Sequence, residues 1–275
     1  MEAHQLGLLV TLAGLALSPA PRLAAQEDDG RWLSRCEHDN WGDQEQFCEV
    51  RRTGFRPSGA TLAIDPDQNG GIEVRGWDRD SVAVTSRIRT GASSEEEARA
   101  LAGRIEVRIS GSTIRVEGPS GGRGHNWGVI LVLLVPRKTG LQAETVNGPL
   151  SVEGVSGTMQ LRAQNGPVSL IRVGGDVRAR VENGPLSVTL EGPAWEGRGL
   201  DAEAVNGPVD LALPEGYNAE LETGTINGPM TLEMPLKVTL LGRVHQRIHS
   251  TLGAGGAPVR VVTTNGPITI RKSGG

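Results

Sequence analysis

From Leu141 onward, apolar and polar residues alternate in short runs that restart at a fixed phase. Each run surrounds an Asn-Gly-Pro triplet, in ETVNGPLSV, RAQNGPVSL, VENGPLSVT, AVNGPVDLA, TINGPMTLE and TTNGPITIR. After the proline, Leu150, Val168, Leu186, Val209, Met230 and Ile268 are apolar, as are Val152, Leu170, Val188, Leu211, Leu232 and Ile270 two residues on. Between them stand Ser151, Ser169, Ser187, Asp210, Thr231 and Thr269. This is the period of two expected of a strand with one face in a core and the other in water. A second apolar set precedes each triplet, from Leu141 and Ala143 in the first repeat to Val259 and Val261 in the last.

The triplet asparagines are Asn147, Asn165, Asn183, Asn206, Asn227 and Asn265, so most repeats are 18 to 23 residues long and the last gap is 38. A period near 20 with fixed turn chemistry predicts an all-β, mainly parallel β-solenoid, a single-chain β-helix of stacked coils. Asn-Gly is a strong turn signal, whereas proline has no N–H for a hairpin ladder. The triplet therefore reads as a corner between two sheets. The asparagine side chains should stack, each amide bonding the next. Stacking also places Glu144 beside Arg162 and Arg180 beside Glu203 on the outward face. The 38-residue gap reads as one degenerate coil with a projecting loop, and GPAWEGRGL as an enlarged turn.

Upstream, TLAIDPDQNGGIEVRGWDRDSVAVTSRI reads as an irregular first coil around Asn69-Gly70. SSEEEARALAGR predicts a short helix with Ser94 and Glu97 as a capping box. IEVRIS and STIRVEG predict a hairpin at Gly111. GVILVLLV, from Gly128 to Val135, is a buried strand, too short to cross a bilayer. The expected segments are a leader (1–25), a disulfide-bearing segment (26–58), a mixed β cap with one short helix and the first irregular coil (59–140), and the repeats (141–275).

Composition narrows this further. With 39 glycines in 275 residues and 3% aromatics, turns and short strands are favoured over a helical bundle. The formal charge of −4, without single-sign blocks, gives no reason to expect nucleic acid as a partner. Leu6 to Ser18 is uncharged and apolar, followed by prolines and small residues, the pattern of a signal peptide cleaved after Ala25. The product is then an exported chain, periplasmic or extracellular, with no transmembrane segment. Cys36 and Cys48 are the only cysteines. In an oxidising compartment they should form one disulfide, since their spacing, even with His38 nearby, matches no zinc module.

The apolar start together with NGGIEVRGWDRDSVAV, VLLVPRKTGLQAETVNG and the serial Asn-Gly turns resembles the bacterial "putative adhesin" domain family, a family of unknown function related to autotransporter adhesin heads. The resemblance covers roughly residues 60–270. It implies a β-solenoid outside the cytoplasm that binds an extracellular or envelope ligand, a glycan or a protein.

Candidate chemistry is sparse. Asp65, Asp67 and Asn69 begin like a calcium loop, but Gly76 stands where a bidentate Glu is required, so another corner is the simpler reading. His245 and His249 have metal-ligand spacing for a helix but lack a third ligand. Trp32, Trp41, Trp77, Trp127 and Trp195 could stack on sugars, with Trp195 the best exposed. Asp201, Glu203 and Asp210 are the acids that a polysaccharide lyase or hydrolase would need to converge. The expectation is an exported non-enzymatic adhesin-like protein that binds or scaffolds, with no cofactor, catalytic residue or metal. The alternatives are a carbohydrate-active enzyme and a periplasmic partner of an envelope regulatory system.

Overall fold

The computed structural model describes residues 21–39, 43–120, 124–234, 239–240 and 246–273. The apolar stretch Leu6–Ser18 lies outside the described residues, and the expected cleavage point after Ala25 falls within helix α1 (Pro21–His38).

Two mixed β-sheets make up the fold. One has ten strands, in the spatial order Glu45–Phe55, Val82–Ala92, Asn126–Pro136, Gly70–Trp77, Leu150–Glu153, Val168–Ile171, Leu186–Thr189, Val209–Leu213, Ile268–Lys272, Met230–Leu232. The other has eleven, in the order Thr239–Leu240, Gln246–Leu252, Ala219–Asn227, Pro258–Asn265, Gly199–Asn206, Gly174–Asn183, Ser156–Asn165, Gly140–Asn147, Thr61–Asp65, Thr113–Glu117, Glu106–Ser110. Each Asn-Gly-Pro corner carries the chain from the larger sheet to the smaller. One hydrophobic core runs through the molecule from Leu62 to Ile270, built from the inward side chains of both sheets.

This corrects the expected mainly parallel solenoid. The central strands are parallel and pair in register, Leu161 with Ala179 and Leu170 with Val188. The ends are antiparallel: Glu45–Phe55 with Val82–Ala92, Val82–Ala92 with Asn126–Pro136, Glu106–Ser110 with Thr113–Glu117, and Ala219–Asn227 with Gln246–Leu252. The chain also does not stack its repeats in sequence order. Strand Pro258–Asn265 inserts between Gly199–Asn206 and Ala219–Asn227. The 38-residue gap is thus not a degenerate coil: it turns back along Gln246–Leu252 before the last repeat wedges in. A fixed repeat phase determines which residues lie side by side. It does not determine the order in which the strands are stacked or how a sheet ends.

Local chemistry explains the other elements. Helix α2 (Glu95–Ala102) starts at Ser94, whose hydroxyl accepts from the Glu97 N–H, and buries Ala98, Leu101 and Ala102. Gly111 (φ 59°) turns the hairpin. In strand Asn126–Pro136, Val129, Leu131, Leu133 and Val135 are buried, while Ile130, Val132 and Leu134 are half-buried on the outer side. Helix α1 reaches that outer side through its acids: Asp28 and Asp29 bind Arg87, and Asp29 also binds Arg52. Cys36 is bonded to Cys48, tying α1 to strand Glu45–Phe55.

Candidate binding face

The parallel strands of the eleven-stranded sheet turn alternate residues outward, and register sets them in rows. One row reads Gln142, Gln160, Arg178, Asp201, Arg260, Glu222. The next reads Glu144, Arg162, Arg180, Glu203, followed by the apolar Val262 and Gly224.

The charges in these rows are not uniformly neutralised. Arg260 reaches Asp201 at 2.6 Å, Glu222 at 3.5 Å and Glu203 at 3.7 Å. Burial opposes its charge, but the Asp201 hydrogen bond and the three carboxylates outweigh this and raise its pKa. Arg180 meets Glu203 at 3.3 Å, as the sequence predicts. Glu144 and Arg162 are register partners, yet no ion pair joins them. Arg178 lies opposite Asp201, which Arg260 already holds. Among the described residues, then, exposed Arg162 and Arg178 have no carboxylate partner. Arg162 also lies directly opposite Arg180, a like-charge pairing that a sheet disfavours.

Two shallow depressions of about 330 and 400 Å³ meet at Arg162 and Arg180. Gln160, Arg178, Asp201 and Glu203 line the first, and Glu144, Gln164 and Glu182 the second. The surface thus offers guanidinium donors for an anion and amide and carboxylate groups for hydroxyls. Arg178, two residues before Arg180, stands in register with Asp201, and register alone does not reveal that Arg260 takes that acid.

The triplet asparagines form one edge of this face. Asn165 donates to Asn147, Asn183 to Asn165 and Asn206 to Asn183, each at 3.0 Å. Asn265 donates to Asn206 and Asn227 to Asn265, both at 2.8 Å, while Asn147 donates to Asn69 at 3.3 Å. The ladder is exposed to solvent rather than buried.

The remaining candidates separate. Asp65 accepts from the Asp67 N–H and pairs with Arg115, Asp67 is left-handed (φ 64°), and Asn69 serves the ladder, so the loop is a corner. No group of three or more His, Cys, Asp or Glu residues suited to a metal occurs among the described residues. His245 lies outside the described residues, and His249 sits on a strand 3.6 Å from Glu220. Trp195 is not an exposed platform. It is 6% exposed, and its indole N–H donates to the Gly175 carbonyl. Trp77 and Trp127 likewise donate to backbone carbonyls, Trp41 lies outside the described residues, and Trp32 borders a cavity beneath α1. Asp201 and Glu203 share one face with Arg260, but Asp210 belongs to the other sheet, bound to Arg271 at 2.9 Å. The three acids do not converge.

No helix among the described residues is long and apolar enough to cross a membrane. No family model matches the chain, and no curated protein matches it. Among solved structures it is similar to a putative cell adhesion protein from Clostridium sporogenes, with 13% identity, 84% of this chain and 100% of that chain covered, and a TM-score of 0.39. It is also similar to a putative adhesin from Bacteroides fragilis, with 10% identity, coverages of 82% and 97%, and a TM-score of 0.33. A putative lipid binding protein from Parabacteroides distasonis aligns with 9% identity, coverages of 82% and 97%, and a TM-score of 0.29. One of these three bears the adhesin name of the family that the sequence resembles, one is named for cell adhesion and one for lipid binding.

Proposed function

We propose that this chain is an exported, non-enzymatic, adhesin-like protein that binds an acidic glycan across the outer face of its eleven-stranded sheet. The observation that carries this reading is the pair of arginines without a carboxylate partner among the described residues, Arg162 and Arg178, on adjacent strands of a regular surface where Arg180 and Arg260 are ion-paired. Holding Arg162 beside Arg180 costs folding stability, so an anion arriving from solution gains what the protein leaves unsatisfied. Flanking glutamines and carboxylates suit sugar hydroxyls, and their negative charges favour a sparsely charged carboxylated polymer over a densely sulfated one. The disulfide and the apolar N-terminal stretch support export.

The test is an array of neutral, carboxylated and sulfated glycans probed with the purified chain, alongside an assay of the same polymers for released reducing or unsaturated ends. Binding to carboxylated glycans without turnover is expected. Turnover that disappears in Asp201→Asn or Glu203→Gln would establish the carbohydrate-active enzyme instead. Failure to bind any carboxylated glycan would overturn the proposal.

A further inference from the structure

We propose a second site, independent of the sheet face: the cavity beneath α1 holds a single hexuronic acid residue. The cavity is about 420 Å³, within the range of about 300–1,000 Å³ usual for small-ligand sites. Its walls are fixed in advance, because α1 is clamped at its middle by the Asp28 and Asp29 ion pairs and near its C-terminal end by the Cys36–Cys48 bond. Its floor is bare backbone at Gly71 and Gly128 on the outer side of the ten-stranded sheet.

Three groups at this cavity have unused capacity. Trp32 is half-buried, and no acceptor among the described residues takes its indole N–H. Arg35, in the last turn of α1, is exposed and has no carboxylate within ion-pair distance among the described residues. Asn69 is the first rung of the amide ladder, where it accepts from Asn147 but donates to nothing among the described residues. Glu73 adds a half-buried carboxylate whose one ion pair, to Arg75, is long at 3.9 Å.

Together these select a ligand class. An indole offers a flat apolar wall for the C–H face of a pyranose ring, with a polar N–H at its edge. Arg87 and Arg89 also line the cavity but are held by Asp28, Asp29, Gln46 and the Asp39 carbonyl, which leaves the Arg35 guanidinium to bind one planar carboxylate in a two-pronged contact. The Asn69 amide can donate to one ring hydroxyl, and the Glu73 carboxylate can accept from another. Glu73 also repels a dianion, so a monoanionic sugar acid fits better than a phosphate.

The test is calorimetric titration of the disulfide-intact chain with monomeric galacturonate and glucuronate. At least one should bind with saturable one-to-one stoichiometry, and galactose, lacking the carboxylate, about ten-fold more weakly or not at all. Arg35→Ala should weaken the sugar acid about ten-fold, and Trp32→Ala should remove measurable binding. Trp32→Tyr should retain it within a few-fold, a check that does not depend on the alanine variant folding well. The double variant Arg162→Ala/Arg178→Ala should bind the monomer as the parent does, which separates this site from the sheet face. No saturable binding of either acid, equal binding of inorganic phosphate, or full affinity in Arg35→Ala would overturn the proposal.

Discussion

At the scale of single residues, the corner triplet assigns one task to each position. Asparagine supplies a side-chain rung, and its carbonyl accepts from the neighbouring glycine, as in Gly148 N–H to Asn165 and Gly166 N–H to Asn183. Glycine is required by closeness: a Cβ at Gly184 would lie 2.2 Å from the Gly166 carbonyl oxygen, and one at Gly207 would lie 2.0 Å from that of Gly184. Proline needs no N–H here, and its carbonyl accepts from the preceding repeat, as Pro185 does from Val168. Gly184→Ala should therefore cost about 3 kcal/mol or more, the severe end of point substitutions. Asn183→Ala should cost about 1 kcal/mol, because its amide loses two exposed hydrogen bonds that water partly replaces. Ser187→Ala should be close to neutral. Melting curves of the three variants check this order, and equal midpoints for the serine and asparagine variants would remove the ladder's role. Tyr217 gives a second residue-scale test. It is 3% exposed and the only tyrosine in the chain, and burial with the nearby Glu196 charge raises its pKa to about 12. Its folded state holds the proton longer than the unfolded chain does, so stability present below pH 10 should fall as pH rises toward about 12. Absorbance at 295 nm reads this one group directly; a midpoint near 10 would contradict its burial.

At the scale of elements, helix α1 is attached by charge and a disulfide. An Arg87 hydrogen bond, opposed by partial burial and aided by the Arg87, Arg75 and Arg31 charges, holds Asp28 below its ordinary 3.8. A depressed carboxylate contributes stability above its unfolded pKa and loses it as pH falls through the lower folded value. Hydrogen exchange along α1 should thus speed up as pH drops below 3.8, beyond the intrinsic trend, and Asp28→Asn should flatten that response. An unchanged profile in the variant would show that Asp28 does not clamp the helix. The short elements were legible in the sequence because their signals are local: Ser94 with Glu97 for α2, Gly111 for the hairpin, the even spacing within each repeat for the strands. Helix α1 was not legible, because its sequence, PRLAAQEDDGRWLSRCEH, has no clean apolar stripe and includes Gly30. Acids on the helix meeting Arg52 and Arg87, far along the chain, are what hold it. Trp195 was misread for a related reason. An enlarged turn looks exposed in sequence, yet here it folds its indole inward onto the core.

At the scale of the whole molecule, the repeat fixes the side-by-side register of the central strands, and what departs from it lies at the ends. Alternation within each strand predicted the core residues except at Met230 and Leu232, which are half-buried and exposed in the edge strand, and the fixed corner phase predicted that Asn147, Asn165, Asn183 and Asn206 align. Neither could show that the Asn265 strand lies between those of Asn206 and Asn227, since both arrangements bury the same apolar face. The candidate face was legible only in part for the same reason. Register alone makes Glu144 and Arg162 partners, whereas the three-dimensional competition for Asp201 and Glu203, won by Arg260 and Arg180, is what leaves Arg178 unmatched. Under the proposed function, these unmatched arginines are kept for a ligand at some cost to the fold. This is tested most directly by measuring, for the parent and for Arg162→Ala/Arg178→Ala, both the affinity for the carboxylated glycan that binds best on the array and the melting temperature. Loss of two charge-assisted contacts should weaken binding about 100-fold, while relief of the Arg162–Arg180 repulsion leaves the melting temperature equal or higher. Unchanged affinity in the double variant would contradict the account.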